Sequence, residues 1–508
     1  MFVILVVYLS LKPSARYLRI RMTNNRTTNP AKPANPFDAY DQGEYFCEMF
    51  GRNGLSHTRR IREQLTSMDS ATFRRRSKDA ERELFNLGIT FTVYTDRDAI
   101  DRILPFDVIP RVLSRKDWRT IDAGVKQRVA ALNLFLHDIY HDGKIFKDGI
   151  IPEALVRGNK NYRPEMEGFS PPQGTYVHIC GTDLVRDEKG RFRVLEDNAR
   201  TPSGVSYVIE NRHLMMRAFP DLADGVPIMD VDDYGRRLMR AMSAVAPAGV
   251  SDPNVVILSP GVFNSAYFEH VFLAREMGGP LVEGQDLVVE QDKVYMRTTR
   301  GLEQVHVIYR RIDDEFLDPT AFNAKSMLGV PGLFEAYRKG NVTLANAVGT
   351  GVADDKAVYA YMPRIIRYYL DEDAIIENVP TNICREAEGL SKTLDNLDQL
   401  VTKPVGESGG YGVVIGPRAS KRALSQLRAK LKADPNNFIS QPLVSLSVSP
   451  TLIGGAVEPR HVDLRPFALT GDSTWVLPGG LTRVAMKRGS LIVNSSQGGG
   501  SKDTWVLG

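Results

Sequence analysis

The sequence predicts an α/β fold in which a parallel-sheet layer is joined to antiparallel hairpins. Three observations carry that expectation. Residues 254–312 alternate apolar strands with a helix, the βαβ pattern of a parallel, Rossmann-like sheet. Residues 175–196 read as a hairpin that ends in a crowd of polar groups. Residues 401–415 read as strand, glycine loop, strand.

The 508 residues suffice for about two to four domains and a large core. The formal charge is +4, and the excess is local. Residues 1–80 hold 14 Lys+Arg against 7 Asp+Glu, while the remainder holds 51 against 54. The body is near neutral, without the broad basic face that nucleic acid requires. Cys47, Cys180 and Cys384 lie far apart with no CxxC pair or zinc spacing, so reduced thiols and a cytoplasmic setting are expected. The apolar run Met1–Leu11 is too short to span a bilayer and lacks the flanks of a signal peptide, so no membrane partner is expected. Residues 1–36 read as a disordered tail or a mis-called start, with Met22 as the alternative start.

Residues 37–150 read as mainly helical, with helical spacing over Arg59–Phe85, a strand at Ile89–Tyr94 and an amphipathic helix at Ile121–Tyr140. The segment Arg111–Trp118 leads into that helix. In residues 151–250, a strand at Thr175–Cys180 turns at Asp187–Gly190 and returns as Arg191–Glu196. There follow Glu196-Asp-Asn-Ala-Arg-Thr-Pro-Ser-Gly204 and a helix over Ser206–Ala218. Carboxylate, amide and hydroxyl groups at a strand end suit a hard cation or polar ligand. The plainer alternative is a turn whose Ser203 or Ser206 caps the helix.

Residues 251–370 carry the parallel-sheet pattern, without a GxGxxG that would support a nicotinamide cofactor. The last region, 371–508, contains Lys403 and the loop glycines Gly406, Gly409, Gly410 and Gly412. Such a loop lets backbone N–H groups approach an anion, and the lysine before it can pair with phosphate. Glu407 within it could hold a divalent cation. A hairpin turn beside a salt-bridged lysine is the plainer alternative. Farther on, Phe438–Val444 reads as a strand whose Gln441 could turn polar groups toward a base, and His461, Asp463 and Arg465 alternate so as to share one face. Arg483 follows a glycine turn, and Asn494–Trp505 is a second glycine loop that returns to an apolar end, as a closing lid would. No HExxH, GxSxG or GxxxxGK[ST] motif is present.

Four stretches together resemble a known family. They are Gly181-Thr-Asp-Leu-Val-Arg-Asp, Val194–Arg212, Lys403-Pro-Val-Gly-Glu-Ser-Gly-Gly-Tyr-Gly and Asn494–Trp505. Over roughly residues 85–508 the chain is similar to the circularly permuted ATP-grasp proteins, type 2 branch, a group with glutathionylspermidine synthase-like and eukaryotic-type glutathione synthetase-like members. The resemblance implies a circularly permuted ATP-grasp fold, ATP and Mg2+ as cofactors, and a carboxylate–amine ligase working through an acylphosphate. It implies Lys403, Gly406, Gly409, Gly410 and Gln441 for the nucleotide, and Glu196, Asn198 and Glu407 for the metal. It implies Arg483 facing the phosphates, and Asp183, Arg186, Arg200 and Ser203 on the substrate side. Arg465, with His461 and Asp463, is assigned to phosphate or substrate on physical grounds. Small-molecule or peptide acids and amines are the expected partners, and a homo-oligomer is admitted. An ATP-dependent phosphotransferase and an inactive nucleotide-binding partner in a peptide-modification system are the alternatives.

Overall fold

The computed structural model describes residues 35–508 except 52–55, 88–89, 95–98, 406–411, 492 and 495–497. Its parallel layer is a four-stranded sheet in the order Thr343–Ala345, Val307–Arg310, Val255–Leu258, Leu281–Val282. Both faces are covered, which is why Val255-Val-Ile-Leu258 is apolar throughout instead of alternating. The chain leaves Val255–Leu258 in one direction and returns on its other side at Val307–Arg310. The carboxyl ends of those two strands therefore flank a topological switch point.

A second sheet is antiparallel, in the order Thr474–Val476, Phe467–Thr470, Ile179–Arg186, Phe192–Asn198. A third runs Asn382–Ile383, Phe438–Pro442, Leu400–Pro404, Val414–Ile415. The helices Ala387–Asp395 and Lys421–Ala433 pack on it through Leu390, Leu394, Leu427 and Leu431. A long helix, Arg115–Tyr140, runs beneath the second sheet and buries Val129, Leu132, Phe135 and Leu136. Ser114 caps it by accepting a hydrogen bond from Asp117 N, so it begins six residues before the apolar pattern becomes clear.

Three expectations change. Residues 37–150 are not only helical beyond the Thr90–Tyr94 strand: Phe106–Leu113 is a buried strand. It pairs in parallel with Gly500–Val506, which is the central strand of a sheet completed by Thr482–Val484. A strand covered on both sides does not alternate, so it carries no period-two signal. The return to Trp505 is therefore strand rather than lid from Gly500 onward, with Lys502 buried against Asp107. Finally, the strand placed at Thr175–Cys180 starts at Ile179 and runs to Arg186. Side chains take the backbone groups before it: Asn133 Oδ1 accepts from Tyr176 N and Val177 N, and Asn346 Oδ1 accepts from His178 N and Ile179 N.

Among the described residues no helix is long and apolar enough to cross a membrane. The three cysteines are buried and unpaired with one another.

Candidate functional site

A cleft of about 300 Å3 lies between the third sheet and the hairpin of the second. Strand periodicity aims residues into it from both sides. On Leu400–Pro404, Val401 and Lys403 line the cleft, whereas Pro404 lines a groove of about 500 Å3 behind the sheet. On the hairpin, Asp183 stands opposite Glu196 and Gly181 opposite Asn198, so Asp183, Glu196 and Asn198 share one face. Asp197 points the other way and forms a buried ion pair with Arg128 at 2.5 Å.

One part of the cleft is charged. Lys356, Lys403, Arg483, Asp183, Glu196 and Asp463 all line it. Lys356 Nζ lies 3.9 Å from Glu196. Burial pushes the Lys403 ammonium down to about 8, against the pull of Glu196, and nearby Lys356 adds to the depression. Another part is apolar, with Val401, Ile415, Leu443, Val444, Leu446, Leu491 and Val493. Gln441 stands at the end of its strand beside this part, its amide donating to Thr381 Oγ1 at 2.9 Å. A cationic region joined to an apolar slot suits a polyphosphate carrying a flat base.

Arg465 reaches Asp183 across Gly181, where a Cβ would sit 3.1 Å from the Arg465 Cδ. Its guanidinium donates to both Asp183 oxygens, by Nη2 at 2.9 Å, and Nη1 donates to Ser203 O at 3.2 Å. Arg483 Nη2 donates to Asp183 at 2.5 Å, and Arg483 Nε donates to both Asp463 oxygens at 3.0 Å. Burial pushes the Asp183 carboxyl up, but Arg465 and Arg483 overcome it and hold it well below the usual range.

The loop after Asn198 is tied to the carboxyl ends of the parallel strands. Arg311 donates to Pro202 O at 2.6 Å and to Ser203 Oγ. Asp354 accepts from Ala199 N at 2.6 Å, and Asn346 donates to Ala199 O at 2.8 Å. The helix Val205–Ala218 is not capped by Ser203 or Ser206. Gly204, at φ +115°, precedes it, and Glu269 accepts from Gly204 N, Ser206 N and Ser206 Oγ. Arg200 extends between Asp313 at 3.5 Å and Asp354 at 3.7 Å. Burial raises Asp354 to about 6, opposed by Arg200 and helped by Glu196.

Of the residues expected from the sequence, Lys403, Gln441, Glu196, Asp183 and Arg483 line one cleft. Asn198 shares the face of Glu196, its amide donating to Gly181 O at 3.1 Å. Arg465 stands behind the wall, and Arg200 and Ser203 lie on the parallel-sheet side. Arg186 is elsewhere, pairing with Asp117 at 2.9 Å between the rings of Phe46 and Phe192, and it fastens the N-terminal segment to the hairpin. His461 is also turned away: its Nδ1 is 2.9 Å from Leu446 O and its ring abuts Tyr45. The strand ends at His461, so the alternation expected through Arg465 breaks there. Gly406, Glu407, Gly409 and Gly410 lie outside the described residues. Among the described residues no three His, Cys, Asp or Glu gather to hold a metal. Of the carboxylates lining the cleft, Asp183 and Asp463 are held by arginines, which leaves Glu196, with Asn198 on the same face, as the hard donors within reach.

Lys356, Asp354 and Asn494 are additions. The run Asp354-Asp-Lys356 at a helix start was the available signal, but a helix start alone does not say which cleft it faces.

The pattern described as circularly permuted ATP-grasp type 2 matches residues 110–485. An uncharacterized protein of Synechocystis is 50% identical over 472 residues, covering 92% of this chain and 98% of its own. A Frankia casuarinae protein provisionally named glutamate–cysteine ligase 2-2 is 44% identical, covering 84% of this chain and 49% of its own. A solved glutathione synthetase-like effector from Globodera pallida has the same fold, with a TM-score of 0.57 at 12% identity over 87% of this chain and 98% of that one. On the extent of the family match and the identity to full-length relatives, the chain belongs to the circularly permuted ATP-grasp type 2 family.

Proposed function

We propose that the protein is an ATP-dependent ligase that joins a carboxylate to an amine. The observation that carries this reading is the convergence of Lys356, Lys403 and Arg483 with Glu196 on one cleft that also has an apolar part. The residues fit a magnesium nucleotide: hard oxygen donors on one strand face, cations around them, and a slot for a base. Bound ATP with Mg2+ would supply the phosphoryl group that makes a carboxylate reactive toward an amine.

Lys356, Lys403 and Arg483 offset the charge of the phosphates. Glu196 and Asn198 hold the cation, and Glu407 is proposed as its third ligand from the sequence. Gln441 orients the base. Arg200 and Ser203, held over the carboxyl ends of the parallel strands, face the acid or amine. Such a reaction needs no side-chain nucleophile, only positioned charge and excluded water. The name of the Frankia protein makes glutamate and cysteine worth testing, but the match covers half of that protein, so the name is not carried over.

The test is ADP release by the purified protein with Mg2+, ATP and pooled acids and amines, with products weighed by mass spectrometry. Release that needs both an acid and an amine, with a product one water lighter than their sum, is expected. Loss of this release in Glu196→Gln is expected too. A phosphorylated product without an amine requirement would point to phosphotransfer. A blank in every pool, with no ATP binding by calorimetry, would end the ligase reading.

A further inference from the structure

The charged floor of the cleft is a set of ion pairs, with Glu196 Oε1 3.9 Å from Arg465 Nη2 at its edge. Asp183, Asp463, Arg465 and Arg483 are each at most 12% exposed, and their formal charges cancel. Within this set the two arginines differ. Arg465 uses Nε, Nη1 and Nη2 on Asp183 and Ser203 and contributes nothing to the cleft wall. Arg483 uses Nε and Nη2 on the two aspartates, and its Nη1 makes no hydrogen bond to the described residues. Arg483 is also the arginine that lines the cleft.

Asp183 is the hinge of this arrangement. Its two oxygens accept three N–H groups from two arginines, which occupies about three of the roughly four acceptor sites a carboxylate offers. These contacts suit the aiming of a guanidinium, since a carboxylate on each side fixes the plane of Arg483.

We propose that Asp183 is a positioning residue: with Asp463 it holds Arg483 so that one guanidinium nitrogen faces the phosphates of the nucleotide, and Arg465 is the strut that keeps Asp183 in place. This rests on the nucleotide reading given above. The opposite role, in which Asp183 withholds the arginines from phosphate, predicts the opposite sign. Removing a withholding carboxylate tightens nucleotide binding. Removing an aiming one loosens it, and only for ligands that carry phosphates.

The experiment measures ATP and ADP by calorimetry and adenosine by ligand-observed NMR, on the full chain with Mg2+. Asp183→Asn is expected to bind ATP and ADP about tenfold more weakly, the scale of a charge-assisted hydrogen bond, with adenosine unchanged. Equal or tighter ATP binding would overturn the proposal, and so would a parallel loss for adenosine, which indicates a damaged cleft. If Asp183→Asn does not fold, Asp183→Asn/Arg465→Gln removes both members of the pair and leaves no unpaired interior charge. It must show the same phosphate-selective loss. Wild-type protein that binds neither ATP nor adenosine would instead refute the nucleotide reading.

Discussion

The Lys356 ammonium, at the first turn of the helix Lys356–Leu370, lies 3.9 Å from the Glu196 carboxylate at the end of a hairpin strand. The two come from segments on opposite sides of the parallel sheet in sequence, yet they line the same cleft as Lys403. Glu196 therefore has a cation of the protein itself at hand.

If Lys356 serves the phosphates, Lys356→Met should weaken ATP binding about tenfold, while Lys356→Arg retains most of it. Calorimetry on both variants checks this. Undiminished binding by Lys356→Met would remove it from the site.

Lys403 gives the cleft an alkaline limit. With its ammonium at about 8 instead of the ordinary 10.5, it is charged at pH 7 and increasingly neutral above pH 8. Phosphate binding should weaken as pH rises through 8, with proton uptake on binding at pH 9 and little at pH 7. Titrations in buffers of different ionisation heat measure that uptake, which Lys403→Arg should abolish. The same depression works on stability with opposite sense. The penalty is complete below pH 8 and relieved between 8 and 10.5, where the unfolded chain would hold the proton more tightly.

Asp354 is raised to about 6, above the ordinary 3.8, so the fold favours its protonated form. Its penalty is absent below pH 3.8 and complete above pH 6. Asp354→Asn should therefore raise Tm at pH 7.5, and the gain should close by pH 4. Arg200 keeps Asp313 as a partner in the variant. Thermal unfolding at the two pH values decides the matter: a gain of the same size at both would sink it.

The Arg128–Asp197 pair is about 1% exposed on each side, and Asp197 lies between Glu196 and Asn198. Arg128→Met should cost about 3–5 kcal/mol because it strands a buried carboxylate. Arg128→Met/Asp197→Leu should recover much of that loss. Denaturant unfolding of both measures the difference.

The residues themselves made parts of this protein legible. Glu196 and Lys403 stand at strand ends followed by small residues, and local periodicity is enough to aim them and to suggest a phosphate and a cation. The βαβ pattern of residues 254–312 likewise became the parallel sheet.

Chain folding alone decided which of the charged groups meet. Periodicity assigns a side chain to a face of its own element, but its partner depends on pairings between remote segments. Asp183 meets Arg483 because the segment 462–465 bridges Leu184 of the hairpin to Leu481 and Val484. Arg186, three residues beyond Asp183 on the same strand, ends between two phenyl rings instead of in the cleft. Phe106–Leu113 was hidden for the same reason: its partner is Gly500–Val506 near the opposite end of the chain, and a strand enclosed on both faces leaves no alternating trace.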